Sequence, residues 1–104
     1  MSATLTLVTC KDAAQGRRIA EALVRERLAA CVNVLPGALS IYRWEGKVER
    51  AREVLLLVKS TASRAKRLAA RVKALHSYAT PEVITLKIAS GDAAYLRWVR
   101  DSVR

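Results

Sequence analysis

The residues best suited to chemistry lie together in one short segment, His76-Ser77-Tyr78-Ala79-Thr80-Pro81-Glu82. It contains the only histidine of the chain, together with a phenol, a proline and a carboxylate. An imidazole and a carboxylate can bind a divalent ion, can exchange protons, or can simply hold a loop together by hydrogen bonds. We expect this segment to be a loop between a helix and a strand, where functional side chains commonly lie.

Cys10 and Cys31 are the two cysteines, and no CxxC motif is present. Both stand in apolar, strand-like surroundings, which favours buried free thiols. The alternative is that either thiol joins His76 as a soft metal ligand. No nucleophile elbow and no Gly-rich phosphate loop are visible, so we predict a protein that is not an enzyme and requires no cofactor.

The length and composition predict a single domain spanning residues 1–104, with 52% hydrophobic and 27% charged residues. No apolar run approaches the ~18 residues of a membrane span, so no membrane association is expected. The chain also starts without a secretory signal pattern, which leads us to expect a cytoplasmic location.

A net charge of +10 raises the question of nucleic-acid binding. Five basic residues fall between Arg64 and Lys73, but a solvated basic helix face explains them as well. RNA-recognition domains stack bases on aromatic residues of a strand, whereas this chain has no Phe and its third strand is aliphatic. A nucleic-acid partner is therefore not expected.

Hydrophobic periodicity predicts the order β-α-β-β-α-β-α. Asp12 is expected to cap the first helix, Ser60, Thr61 or Ser63 the second, and Asp92 the last. Pro36-Gly37 predicts a bulge or a bend at an edge position of the second strand, and Glu45-Gly46-Lys47 predicts a tight turn. The first six elements match the ferredoxin-like α+β fold, a βαββαβ sandwich, here with an added C-terminal helix and a long central β-hairpin.

The third strand contains Val54-Leu55-Leu56-Leu57-Val58, which is apolar on both faces. Because two helices can cover only one face of a single sheet, the other face is expected to pack against another subunit.

Several segments together resemble the CutA divalent-cation tolerance family. They are Leu28-Ala29-Ala30-Cys31-Val32-Asn33, Pro36-Gly37, Tyr42-Arg43-Trp44-Glu45-Gly46-Lys47, residues 53–59, the segment from His76 to Glu82, Gly91-Asp92 and Tyr95-Leu96-Arg97-Trp98. The resemblance implies a homotrimer similar in architecture to the PII signalling proteins, and a role in tolerance of copper and other divalent ions.

The resemblance also implies a cleft between subunits. Its lining would include Trp44, Lys59, Tyr78, Tyr95 and Trp98, with His76 and Glu82 as metal-binding residues and Cu²⁺ or another divalent cation, or a small anion, as ligand. A PII-like signalling or scaffold trimer that binds a metabolite or a partner protein is the alternative function. No protein partner is named by the sequence.

Overall fold

The computed structural model of the chain describes residues 2–104. Its elements follow the predicted order, with a short 3₁₀ turn at Ala62–Arg64 before the second helix. The bounds are β1 Ala3–Cys10, α1 Ala13–Arg25, β2 Cys31–Trp44, β3 Lys47–Thr61, α2 Ala65–Leu75, β4 Val83–Lys87 and α3 Ala93–Ser102. No helix in this range is long and apolar enough to cross a membrane.

The four strands form one antiparallel sheet in the order β2-β3-β1-β4. In its register Val8 lies opposite Leu56 and Thr6 opposite Val58, so these alternate residues share one face. Helices α1 and α2 cover that face and form the core with it. The main buried side chains of this core are Val8, Leu56, Val58, Ile19, Leu23, Leu68 and Val72. The ferredoxin-like α+β fold is confirmed.

The second face of the sheet is apolar as well, and it is largely uncovered. We call it the open face; its apolar residues are Leu5, Leu7, Leu35, Leu55, Leu57, Ile84 and Leu86. Ile84 and Leu86 are 49% and 47% exposed. Helix α3 packs at one end only, where Val99 contacts Ala3 and Ala30. The prediction that the third strand is apolar on both faces is confirmed.

Strands β2 and β3 continue past the sheet as a two-stranded ribbon. Pairing with β1 ends where Cys10 lies opposite Val54, whereas β2 and β3 stay paired to Trp44 and Lys47. The ribbon ends in the two-residue turn Glu45-Gly46, whose φ angles of 49° and 80° match the type I′ turn that suits hairpin twist. The predicted long hairpin and tight turn are confirmed.

The bulge is also where it was predicted, because the β2–β3 register shifts between Leu35 and Ala38. Gly37, with φ at 83°, supplies a backbone conformation that other residues adopt only with strain. The bulge moves the ribbon residues of β2 by one position, so that Tyr42 and Trp44 come to the same side of the ribbon as Glu53.

Two of the three predicted helix caps are present. The Asp12 and Asp92 carboxylates accept hydrogen bonds from the Gln15 and Tyr95 backbone N–H groups, at 2.8 and 2.9 Å. The prediction of a Ser or Thr cap on α2 was wrong. Strand β3 runs on to Thr61, where no side chain caps the following turn, and the Ser60 hydroxyl donates instead to the Leu28 carbonyl at 2.6 Å.

Candidate functional site

The His76 ring is held in place through both nitrogens. Nδ1 lies 3.0 Å from the backbone N–H of Tyr78, which donates to it, and Nε2 lies 2.7 Å from the Thr9 carbonyl oxygen. Since a carbonyl only accepts, Nε2 must carry the proton and Nδ1 the lone pair. A metal ion at Nδ1 would therefore have to displace the Tyr78 N–H. Metal binding by His76 stays a prediction.

Tyr78 in turn fixes a carboxylate that the sequence analysis did not select. Its phenol donates to Glu53 Oε2 at 2.8 Å, and Glu53 is only 8% exposed. Burial, and then the Glu53 carboxylate, raise the pKa of Tyr78 to about 12, so the phenol stays a donor at neutral pH. One indication in the sequence pointed to Glu53 as a site residue: this acid directly precedes the apolar run of β3, at the inner end of the ribbon.

Glu53 and Tyr78 line a cavity of about 720 Å³ between the ribbon and the loop. Trp44 and Glu82, both predicted as site residues, line it too. The other lining residues are Thr9, Ser40, Ile41, Tyr42, Ala79, Thr80 and Pro81. His76 does not line the cavity; it orients Tyr78, whose ring centroid lies 4.7 Å from the imidazole. The loop thus builds one wall of a pocket.

The remaining predicted cleft residues form a second cluster. The Lys59 ammonium donates to Asn33 Oδ1 and lies 3.9 Å from Cys31 Sγ. Burial, and then the nearby Cys31, raise the pKa of the Tyr95 phenol. The Tyr95 ring lies 5.6 Å from that of Trp98 on α3. These side chains meet where α3 crosses the open face.

The two clusters lie toward opposite ends of the open face. Glu53 and Lys59 are six residues apart on β3, a distance of about 20 Å along an extended strand. A single chain therefore does not bring all the predicted cleft residues together.

The two thiols are also separated, because Cys10 faces the helices and Cys31 the open face. Both are free thiols. Cys10 is fully buried, and this burial, followed by the Glu53 charge, raises its pKa to about 11. The thiol is thus protonated at neutral pH, whereas metals bind the thiolate. Among residues 2–104, no three His, Cys, Asp or Glu side chains form a group that could hold a metal ion.

Comparison with known proteins gives a consistent result over nearly the whole chain. Residues 4–102 match the model of the family described as CutA1 divalent ion tolerance protein. The chain is 51% identical over 98 residues to the divalent-cation tolerance protein CutA of Thermus thermophilus, covering 94% of this chain and 95% of that protein. It is 45% identical over 102 residues to the protein of the same name from Pectobacterium atrosepticum, covering 98% and 93%. These names describe tolerance proteins and no enzymatic activity.

Solved structures agree. The Thermus thermophilus divalent cation tolerance protein superimposes with a TM-score of 0.96 at 49% identity, covering 98% of this chain and 99% of that one. CutA from Xylella fastidiosa gives 0.97 at 40% identity, with complete coverage of both chains. The chain therefore belongs to the CutA1 family of divalent ion tolerance proteins.

Proposed function

We propose that the chain acts in divalent-cation tolerance as a homotrimer whose subunits pack through their open faces, and that a divalent ion binds weakly in the cleft between neighbouring subunits. The open face carries this proposal. Monomeric proteins rarely expose a continuous apolar patch of this kind. The ribbon also exposes Leu39 and Ile41, at 60% and 61%, on the side opposite to that of Glu53. Burial against further copies would remove both surfaces from water.

The positions of the two side-chain clusters, one around Tyr78 and one around Lys59, support a ring of subunits. A heterologous contact joins different surfaces of neighbouring subunits, and it closes into a ring when the rotation permits. Such a contact would bring the Trp44–Tyr78–Glu82 end of one subunit toward the Lys59–Trp98 end of the next. The cleft predicted from the sequence would then contain residues of two chains.

Within this cleft, we propose Glu82 and His76 as the metal-binding pair. The Glu82 side chain is exposed and lines the cavity, so it is free to bind an ion without breaking the fold. His76 must first give up the hydrogen bond from the Tyr78 backbone. Because this costs free energy, we expect affinity for Cu²⁺ or Zn²⁺ to be weak compared with that of a preformed site.

Calorimetric titration with Cu²⁺ and Zn²⁺ tests this pair. The variants are Glu82→Gln and His76→Ala, and the matched control is Glu21→Gln, which removes one exposed carboxylate from α1 on the other side of the sheet. We expect both site variants to bind at least tenfold more weakly than the control. Equal affinity in His76→Ala and the control would remove His76 as a ligand, and equal affinity in Glu82→Gln would remove Glu82.

The size of the cavity favours a second candidate, a PII-like trimer that binds a small organic molecule. A volume of about 720 Å³ falls within the range of ordinary ligand pockets and greatly exceeds the space that one metal ion needs. A thermal-shift screen of small metabolites against the purified protein tests this candidate. Stabilisation by metal ions and by no organic molecule would speak against it.

A further inference from the structure

We propose that the outer surface of helices α1 and α2 binds a flexible acidic segment of a partner protein. We call this surface the helix layer; it consists of the exposed side chains of residues 11–28 and 62–75. The inference goes beyond the proposed function and rests on the homotrimer in one respect only, the directions in which its helix layers point. Its basis is the uneven distribution of charge along the chain.

Most of the positive charge of the protein lies in the two segments of the helix layer. They contain ten basic and three acidic residues, an excess of seven, whereas the net charge of the whole chain is +10. Two of the three acids are already engaged, because Asp12 caps α1 and Glu26 pairs with Arg71. The exposed basic side chains of the two helices are Arg17, Arg18, Arg25, Lys66, Arg67 and Lys73. Repulsion among these like charges favours a partner of opposite charge.

The helix layer stays accessible when the subunits assemble. Helices α1 and α2 cover one face of the sheet, and the open face that we propose to join the copies is the other one. Packing through the open faces therefore leaves three helix layers on the outside of the ring, pointing in three directions. The Lys59 cluster of a neighbouring subunit would lie against the open face and not against this surface.

The helix layer already holds one carboxylate of its own. Arg71 donates from Nε and Nη2 to the two carboxylate oxygens of Glu26, at 2.9 Å each. Both side chains remain 39% exposed. The planar guanidinium group suits such forked contacts with a carboxylate. Four of the six exposed basic side chains are arginines, so the layer can bind further carboxylates in the same way.

The composition and the arrangement of the helix layers favour an acidic polypeptide over other polyanions. A glutamate-rich extended chain and one nucleic-acid strand both carry a charge about every 3.4 Å, so charge spacing does not distinguish them. Single-stranded nucleic acids bind largely by stacking bases on aromatic rings, and residues 11–28 and 62–75 include no aromatic residue. A flat membrane or a stiff duplex can lie against only one of the three layers at a time.

A flexible segment also suits the layer better than a folded partner does. Interfaces between folded proteins are anchored by buried aromatic and aliphatic side chains. Val24, at 42%, is the only large hydrophobic side chain that residues 11–28 and 62–75 expose. An extended segment of about 20 residues spans about 70 Å. This exceeds the 44 Å longest dimension of one chain, so such a segment can reach from one layer to the next.

Fluorescence anisotropy with a fluorescein-labelled, glutamate-rich peptide of about 20 residues tests the proposal. The same peptide with glutamine in place of glutamate is the uncharged probe. Oligouridylate of equal length and vesicles of phosphatidylserine and phosphatidylcholine represent nucleic acid and membrane. The assembled protein is used at pH 7 and about 0.1 M salt, where charges more than about 10 Å apart are largely screened from each other.

The layer variant combines Arg18→Gln, Arg25→Gln and Arg67→Gln, which remove three exposed charges. Glutamine is nearly as good a helix former as arginine, so α1 and α2 should persist, and circular dichroism checks this. A second layer variant, Lys66→Gln with Lys73→Gln, keeps the test valid if the first one fails to fold.

The matched control removes three exposed charges outside the helix layer, by Lys47→Gln, Arg97→Gln and Arg104→Gln. We expect it to bind the glutamate peptide within about twofold of the wild type, because of the screening. Each layer variant should bind this peptide at least about fivefold more weakly.

Equal weakening in the control and the layer variants would overturn the proposal, because net charge alone would then explain binding. So would the absence of binding to the wild type, equal binding of the glutamine peptide, or tighter binding of oligouridylate or of the vesicles. Sedimentation of the same proteins keeps the two proposals apart. A monomeric wild type would refute the homotrimer, whereas the comparison of variants would still decide whether the helix layer binds the acidic peptide.

Discussion

Replacing Tyr78 by Phe removes the one side-chain hydrogen bond that the buried Glu53 carboxylate accepts within residues 2–104, and it leaves the ring in place. A hydrogen bond to a charged group contributes about 1.5–3 kcal/mol, and an unsatisfied buried acceptor costs a similar amount. We take about 2 kcal/mol per chain, because water from the adjoining cavity can replace part of the interaction. For a domain of this size that corresponds to a fall in Tm of about 8–16 °C.

Urea and thermal unfolding at pH 7 measure the effect, at one fixed protein concentration because oligomerisation contributes to stability. Tyr42→Phe is the matched control, since the Tyr42 side chain is 44% exposed and forms no hydrogen bond within residues 2–104. Its free energy of unfolding should change by less than about 0.5 kcal/mol. If Tyr78→Phe proves as stable as Tyr42→Phe, the Tyr78–Glu53 contact does not hold the loop on the ribbon.

The pKa of Tyr78 gives this prediction a second readout. A pKa raised from 10.0 to about 12 means that the folded state favours the neutral phenol. The resulting stability is fully present below pH 10 and is lost as the pH rises toward 12. Ultraviolet titration should show one phenol of the wild type ionising near pH 12, and that step should be missing in Tyr78→Phe. Three phenols that all ionise near pH 10 would contradict the buried contact.

Three further predictions concern other parts of the molecule. Asp12→Ala should lower the free energy of unfolding by about 1 kcal/mol, because the Gln15 N–H loses its cap; no change in a denaturant midpoint would contradict this. Cys10 should resist iodoacetamide at pH 8 until the protein is unfolded, because its thiol is buried and has a pKa of about 11; modification of the native protein at Cys10, detected by mass spectrometry, would be the opposite result. Leu57→Asp on the open face should give a monomer by light scattering, whereas a charge added on the exposed side of α1 by Ala14→Asp should leave the assembly intact.

The sequence predicted correctly those local features that depend on the conformational or capping preference of a single residue type. The β-bulge at Pro36-Gly37, the type I′ turn at Glu45-Gly46 and the two Asp caps all depend on the conformational preferences of single residues. The cap of α2 failed for a different reason. Ser60 lies at the end of a strand, where a carbonyl brought close by the fold, that of Leu28, competes for its hydroxyl.

The candidate site was only partly predictable, because its contacts are long-range. Tyr78 and Glu53 are 25 residues apart, and Thr9 and His76 are 67 residues apart. The rare residue types of the loop indicated a functional site. The sequence did not show that His76 orients Tyr78, or that Tyr78 binds the buried Glu53 carboxylate. The cytoplasmic location and the metal ligands stay predictions.

The central claim is that the open face joins copies of this chain, and its most direct test is the mass of the purified protein in dilute solution. Sedimentation equilibrium should give three times the chain mass of 11.4 kDa, independent of concentration in the micromolar range. A mass of 11.4 kDa would contradict the account, since the apolar open face would then be exposed to water in the native protein.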